Sequence, residues 1–175
     1  EISEQPIVCT IDQNTFAVEI NYQNGKYNLI GQNGYEYPVP SAMNGFSRSV
    51  STDSQVMFNG INRCLFAAAD DELRPQMNGI YFDMTTENIT FVASDGHKLV
   101  RNRMFSARAD EASAFILPKK PALLLKTVLP KAEGDAIVRF DDRNAEIQLT
   151  DYVISCRLIE GRYPNYNSVI PTDNP

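Results

Sequence analysis

Residues 90–101 read Thr90-Phe91-Val92-Ala93-Ser94-Asp95-Gly96-His97-Lys98-Leu99-Val100-Arg101, two apolar runs hinged at Asp95-Gly96. Asp-Gly between such runs is a strong short-range signal for a two-residue type I′ hairpin. That register sets Ser94 opposite His97 and Val92 opposite Leu99. Side chains alternate along a strand, so Val92, Ser94, His97 and Leu99 share one face, with Phe91, Ala93 and Val100 on the other. One face feeds a core. The other presents apolar surface edged by a hydroxyl and an imidazole, the composition of a peptide pocket. In the plainer reading Ser94 and His97 merely pair across the hairpin and Leu99 is core.

Outward from this hairpin, residues 79–84 and 89–94 read as strands, as do 97–102 and the short run Phe115-Ile116-Leu117. Upstream, 46–51 is strand-like, and Thr52 or Asp53 offers a cap for a helix over 53–69. Val56, Met57, Ile61, Leu65 and Phe66 fall at helical spacing there, and the helix should end before the acidic run Asp70-Asp71-Glu72. A second helix is expected over 118–129, with Leu123, Leu124, Val128 and Leu129 as its apolar stripe. Strands near 136–140, 145–149 and 153–158 complete the run. The order from residue 46 is β-α-βββ repeated once. This predicts an α+β architecture of duplicated β-α-βββ units, with antiparallel sheet and two helices on one face. No parallel βαβ crossover or glycine-rich phosphate loop appears, which excludes the dinucleotide and P-loop readings.

Residues 15–40 read differently. Phe16-Ala17-Val18-Glu19-Ile20 and Tyr27-Asn28-Leu29-Ile30 are strand-like around an Asn24-Gly25 turn. The first 40 or so residues hold no convincing helix and too little apolar surface to close a core, so they read as the tail of a preceding unit. The composition shift at 41–45 marks the boundary. At the other end, residues 158–171 form an extended connection held down by Tyr163, Tyr166, Val169 and Ile170.

The 175 residues carry 16 basic and 22 acidic side chains and one histidine, a net charge of −6. No apolar run reaches the ~18 residues of a membrane helix. The acidic balance argues against a chain coated for nucleic acid, though not against a local basic face. Cys9, Cys64 and Cys156 are odd in number and widely spaced, as expected of three buried, reduced thiols rather than a metal site or disulfide framework. The start, Glu1-Ile2-Ser3-Glu4, has no signal-peptide pattern. Asn88-Ile89-Thr90 matches a glycosylation sequon by chance inside a hairpin. His97 is the only histidine, and a tight turn points Asp95 away from it, so no hydrolytic triad is expected. Asp70-Asp71 and Asp141-Asp142 read as solvated turns, with no metal and no cofactor.

Four motifs occur in order: Arg74-x-x-Met77-Asn78-Gly79; Ser94-Asp95-Gly96-His97-Lys98-Leu99; Phe115-Ile116-Leu117-Pro118-Lys119-Lys120; and Glu160-Gly161-Arg162-Tyr163-Pro164-x-Tyr166-x-x-Val169-Ile170-Pro171. Together they closely resemble the bacterial sliding clamp, the beta subunit of DNA polymerase III. The resemblance implies a DNA-clamp fold, with three similar α+β domains per chain and two chains closing head to tail into a ring around duplex DNA. Residues 1–45 would be the C-terminal part of the first domain, and 46–175 the middle domain with its exit linker.

The resemblance also implies a partner-peptide cleft at Arg74, Met77, Ser94, Gly96, His97, Leu99, Pro164 and Val169. Ser94 stands where threonine is common, Met77 where leucine is common, and Ser168 where a basic residue is frequent. DNA-facing residues of the bore would be Arg63, Lys119, Lys120, Lys126 and Lys131, meeting phosphates through water. The implied function is that of a cytoplasmic, non-catalytic processivity factor needing no cofactor. Its partners would be duplex DNA and, through short linear peptides, the polymerase III alpha subunit and the clamp loader. The rival reading is an antiparallel α+β module binding a small ligand or carbohydrate through Tyr35, Tyr37, Tyr163 and Tyr166.

Overall fold

The computed structural model describes residues 4–39, 43 and 47–171, so the expected boundary at 41–45 and the first residue of the 46–51 strand lie largely outside the described residues. The chain divides into two compact units, Glu1–Val39 and Pro40–Pro175.

The first unit is a three-stranded antiparallel meander of β1 (Val8–Ile11), β2 (Ala17–Tyr22) and β3 (Gly25–Ile30), in that order. β1 escapes sequence reading because four residues give too short a pattern. It is joined to β2 by a side-chain-capped turn in which Asp12 Oδ1 accepts from the Asn14 and Thr15 amides at 2.8 and 3.2 Å. The second turn is Gln23-Asn24 rather than Asn24-Gly25, since Gly25 already pairs with Tyr22. None of this unit's described residues is buried, and Cys9 is exposed, against the expectation of three buried thiols. Three strands alone have nothing to cover their apolar face.

The second unit opens with β4 (Arg48–Asp53) and α1 (Ser54–Cys64), followed by β5 (Gly79–Met84), β6 (Ile89–Ser94) and β7 (Leu99–Met104). The second half repeats this as β8 (Ser113–Pro118), α2 (Lys119–Val128), β9 (Asp135–Phe140), β10 (Asn144–Gln148) and β11 (Val153–Arg157). Asp53 caps α1, its Oδ1 accepting from the Gln55 and Val56 amides at 2.8 and 3.1 Å. Both sheets are antiparallel, with strand orders β11-β10-β9-β4 and β7-β6-β5-β8. Each sheet therefore takes three strands from one half and the leading strand of the other. Among the described residues, no helix is long and apolar enough to cross a membrane.

The helices touch each other and bury one side against the inner faces of both sheets in one core. Their buried stripes differ in part from expectation. On α2 the buried residues are Ala122 and Leu125, followed by Leu129, whereas Leu123 and Leu124 are half exposed. Three successive leucines leave the helical phase ambiguous in sequence. Past α1, Phe66 is 66% exposed. Tightening into a 3-10 turn at Leu65–Ala67 rotates it off the buried face. Between the sheets runs an aromatic column, Phe91 against Phe82 at 4.7 Å, Phe82 on Phe115 at 4.5 Å, and Phe115 against Phe140 at 4.7 Å.

Residues 158–171 lie as a strap across the outer face of the β7-β6-β5-β8 sheet. The Ile159 N–H donates to the Ile116 carbonyl at 3.1 Å. Tyr163 and Tyr166 bury themselves against Val92 and Ile116. Val169, expected as an anchor, is instead 66% exposed. Burial pushes the Tyr163 phenol up to about 12, with the Ser94 backbone opposing. Burial, then the hydrogen bond to Asp83, pushes Tyr166 up to about 12 as well.

Two outcomes follow for the fold. Gly60 sits where an added Cβ would meet the Phe91 ring at 2.4 Å. Gly60→Ala should therefore lose about 1–3 kcal/mol to overpacking, more than the ~1 kcal/mol it gains in helix propensity, seen as a lower denaturant midpoint. In a spectrophotometric alkaline titration, Tyr163 and Tyr166 should ionise only toward about 12. The neutral phenol is the native form, so their contribution is full below about pH 10 and is lost as pH climbs toward 12. Ionisation of Tyr163 and Tyr166 at the ordinary phenol value of about 10 would show that the strap is not packed.

Candidate functional site

The turn that joins β6 to β7 is a four-residue loop, Asp95 to Lys98, and not the two-residue type I′ turn expected. Ser94 pairs with Leu99, and Val92 with Arg101. A type I′ turn needs two successive residues with positive φ. Here only Gly96 has one, at 90°. Asp95 closes the loop instead, Oδ1 accepting from the His97 and Lys98 amides at 2.9 Å each. Lys98 Nζ pairs with the other carboxylate oxygen. The Lys98 ammonium first, then these amides, hold the Asp95 carboxyl well below the usual carboxylate range. Ser94 Oγ donates to the Lys98 carbonyl at 2.8 Å and accepts from the Gly96 amide at 3.1 Å. The Ser94 hydroxyl is thus committed to the loop backbone, and His97, in the loop, does not stand opposite it.

Around this loop lies a cavity of about 350 Å³. Met77, Ser94, Gly96, His97, Leu99, Pro164 and Val169 all line it. Arg74 does not. Its Nε donates to Asp71 Oδ2 at 2.7 Å, and its Nη2 reaches the Asp95 carbonyl at 3.4 Å, bracing the loop from behind. A Cβ on Gly96 would come within 2.8 Å of Arg74 Nη1, so glycine serves both the backbone angle and this approach. Lys98, Tyr163, Asn165 and Tyr166 also line the cavity and were not among the expected cleft residues. The tyrosines were expected as anchors of the strap, or as ligand contacts in the rival reading. Buried Met77, half-buried Leu99 and the tyrosine rings make an apolar floor; His97, Lys98 and Asn165 make a polar rim.

The basic residues sit elsewhere in this unit. Arg63 lies on α1; Lys119, Lys120 and Lys126 lie on α2; Lys131 lies in the 3-10 turn after it. Lys119 and Lys126 flank a groove of about 290 Å³ with Asn62, Leu65, Phe66 and Leu123. Arg63, Lys120 and Lys131 are exposed but do not line that groove. Lys119 also pairs with Asp70 at 3.0 Å, which offsets part of its charge.

The remaining titratable groups are occupied structurally. The Arg74 guanidinium, then the Leu73 amide, lower Asp71. Asp141, expected in a solvated turn, is 5% exposed, with Oδ1 accepting from the Arg143 and Asn144 amides at 2.8 and 2.7 Å. A hairpin between two sheet-core strands buries its first turn residue. Burial pushes the Cys64 thiol up to about 12 and Cys156 up to about 11. Among the described residues, no group of three or more His, Cys, Asp or Glu side chains could hold a metal ion. Of the four tyrosines of the rival reading, Tyr163 and Tyr166 are buried to 6% and 7% exposure, and Tyr35 and Tyr37, though exposed, belong to the first unit.

Comparison with known proteins matches residues 51–165 to the family described as DNA polymerase III beta subunit, central domain. The beta sliding clamp of Synechococcus elongatus is 24% identical over 168 residues, covering 94% of this chain and 44% of the relative. That of Borreliella burgdorferi is 28% identical over 160 residues, covering 91% of this chain and 38% of the relative. The chain thus spans under half the length of these relatives. Among solved structures, the Bacillus subtilis DNA polymerase sliding clamp superposes with a TM-score of 0.85 at 21% identity, over 95% of this chain and 44% of that one. The Bartonella birtlesii sliding clamp bound to griselimycin gives a TM-score of 0.85 at 24% identity, over 97% and 46%. The exchanged leading strands, the paired helices and the hairpin with its strap are therefore those of a known fold, and the chain belongs to the DNA polymerase III beta subunit family.

Proposed function

We propose that this chain is the part of a sliding clamp that presents the partner-binding cleft. In this reading residues 1–45 end a first domain and 46–175 form the middle domain. The full-length protein is a homodimeric, cytoplasmic ring that encircles duplex DNA and tethers the polymerase III alpha subunit and the clamp loader through short linear peptides. It makes and breaks no bonds and uses no cofactor.

One observation carries the reading. Seven of the eight expected cleft residues, drawn from three separate motifs, line one cavity of about 350 Å³ with an apolar floor and a polar rim. A short peptide with apolar anchors and one polar side chain fits such a lining. A Bartonella birtlesii clamp of this fold has been solved with griselimycin bound, which supports ligand uptake by the fold. Arg74 then acts by bracing the Asp95–Lys98 loop.

For DNA, the supporting feature is the shared helical face. Lys119 and Lys120 occupy the first turn of α2, where they oppose the helix dipole and add to its positive end. That costs helix stability and favours a phosphate neighbour. Contacts of exposed lysines to phosphates are sequence-blind and salt-screened, which suits a ring that must slide.

A fluorescent peptide carrying a glutamine followed by leucines and a phenylalanine should bind this chain. Leu99→Ala should weaken it roughly tenfold through lost apolar burial, and His97→Ala by a smaller factor. Affinity unchanged by both substitutions would remove the cleft assignment. The full ring should bind more tightly, because it supplies the opposite wall of the cleft. For the helical face, replacing Lys120 and Lys126 with alanine in the full ring should lower the slope of log affinity for DNA against log salt by about 1–2. An unaltered slope would place those lysines away from DNA.

A further inference from the structure

Pro164 and Val169 form one wall of the cleft from a stretch with no strand pairing and no α-helix, only the 3-10 turn Tyr166–Val169. Both are exposed. A wall without a backbone ladder is placed by its side chains. Tyr166 Oη donates to Asp83 Oδ2 at 2.7 Å, and Tyr163 lies flat on Tyr81 with centroids 4.7 Å apart and planes 6° apart. Tyr166 meets the same Tyr81 ring edge-on at 6.3 Å. A weaker pin joins Arg101 Nη1 to Asn167 Oδ1 at 3.3 Å on the exposed side. Tyr81 and Asp83 are two apart on β5, so they project from the same face of the sheet. Neither lines the cleft.

We infer that Asp83 and Tyr81 are positioning residues for the cleft: the Asp83–Tyr166 hydrogen bond latches the strap so that Pro164 and Val169 stand ready before a peptide arrives. This rests on the cleft reading above. A hydrogen bond to a carboxylate is among the stronger neutral-to-charged contacts, and here it is partly shielded from water. With the latch open, the strap samples other positions, and ordering it again opposes peptide binding. Asp83 holds the wall without lining the cleft, whereas Tyr166 is both latch and part of the cleft floor, so strap exchange separates the two roles.

The test uses the same chain and peptide, read by two measurements. Asp83→Ala should weaken peptide binding about threefold to tenfold, and Asp83→Asn, which keeps an acceptor oxygen, should restore most of it. Tyr166→Phe, which removes only the hydroxyl, should match Asp83→Ala and guards against a folding failure of that variant. Amide hydrogen exchange of residues 162–170 should quicken in Asp83→Ala and Tyr166→Phe, with β9 and β10 unchanged. His97→Ala, at an exposed loop residue outside the tyrosine cluster, should weaken the peptide without altering exchange in the strap. Unchanged exchange in both latch variants overturns the inference, as does faster exchange with undiminished peptide affinity. If the wild-type chain binds no peptide, the cleft reading fails, and strap exchange alone then decides whether Asp83 holds the strap.

Discussion

The exchange of leading strands between the two halves is the constraint on which the second unit depends. β4 pairs along β9, Val50 against Val138, and β8 pairs along β5, Phe82 against Phe115. Neither β-α-βββ half can complete its own sheet, so neither can cover the apolar side of its own helix. The aromatic column from Phe91 to Phe140 exists only once both sheets are formed, because Phe140 comes from the sheet opposite Phe82, Phe91 and Phe115. Packing at interior density leaves little slack in that column, which is why α1 carries a glycine at position 60 where it crosses Phe91.

That arrangement gives the unit two usable surfaces. The inner faces of both sheets are consumed by the helices, leaving the outer face of β7-β6-β5-β8 to receive the strap. The strap buries two tyrosines there and lifts Pro164 and Val169 beside the Asp95–Lys98 loop. A cavity arises because a rigid loop and a laterally anchored strap meet over an apolar floor. The groove between the two helices takes Asn62, Leu65 and Phe66 from the first helical segment and Lys119, Leu123 and Lys126 from α2, in a chain whose net charge is −6.

Sequence reading failed where the competing signals were local. Asp95-Gly96 announces a two-residue turn, but an aspartate side chain that accepts two amides stabilises a wider loop, and only one residue there tolerates positive φ. The register shift takes His97 out of the strand while leaving Ser94 and Leu99 on the expected face. Leu123-Leu124-Leu125 could not be phased because three adjacent apolar residues fit more than one helical stripe, and contact with the other helix and the sheets selected Leu125. Asp141 looked solvated because its neighbour is also acidic; its burial follows from hairpin geometry.

What the chain determined by itself was local: strand against helix by periodicity, a cap at Thr52 or Asp53, and the twice-repeated element order. Those are properties of short windows, where propensity and alternation act over a few residues. Which sheet each leading strand joins, which leucines are buried, and how the Asp83–Tyr166 contact holds the strap were decided by tertiary structure. Partners such as Asp83 and Tyr166 are far apart in sequence, and no periodicity within either segment encodes the other's position. Only closure of the common core brings them within 2.7 Å.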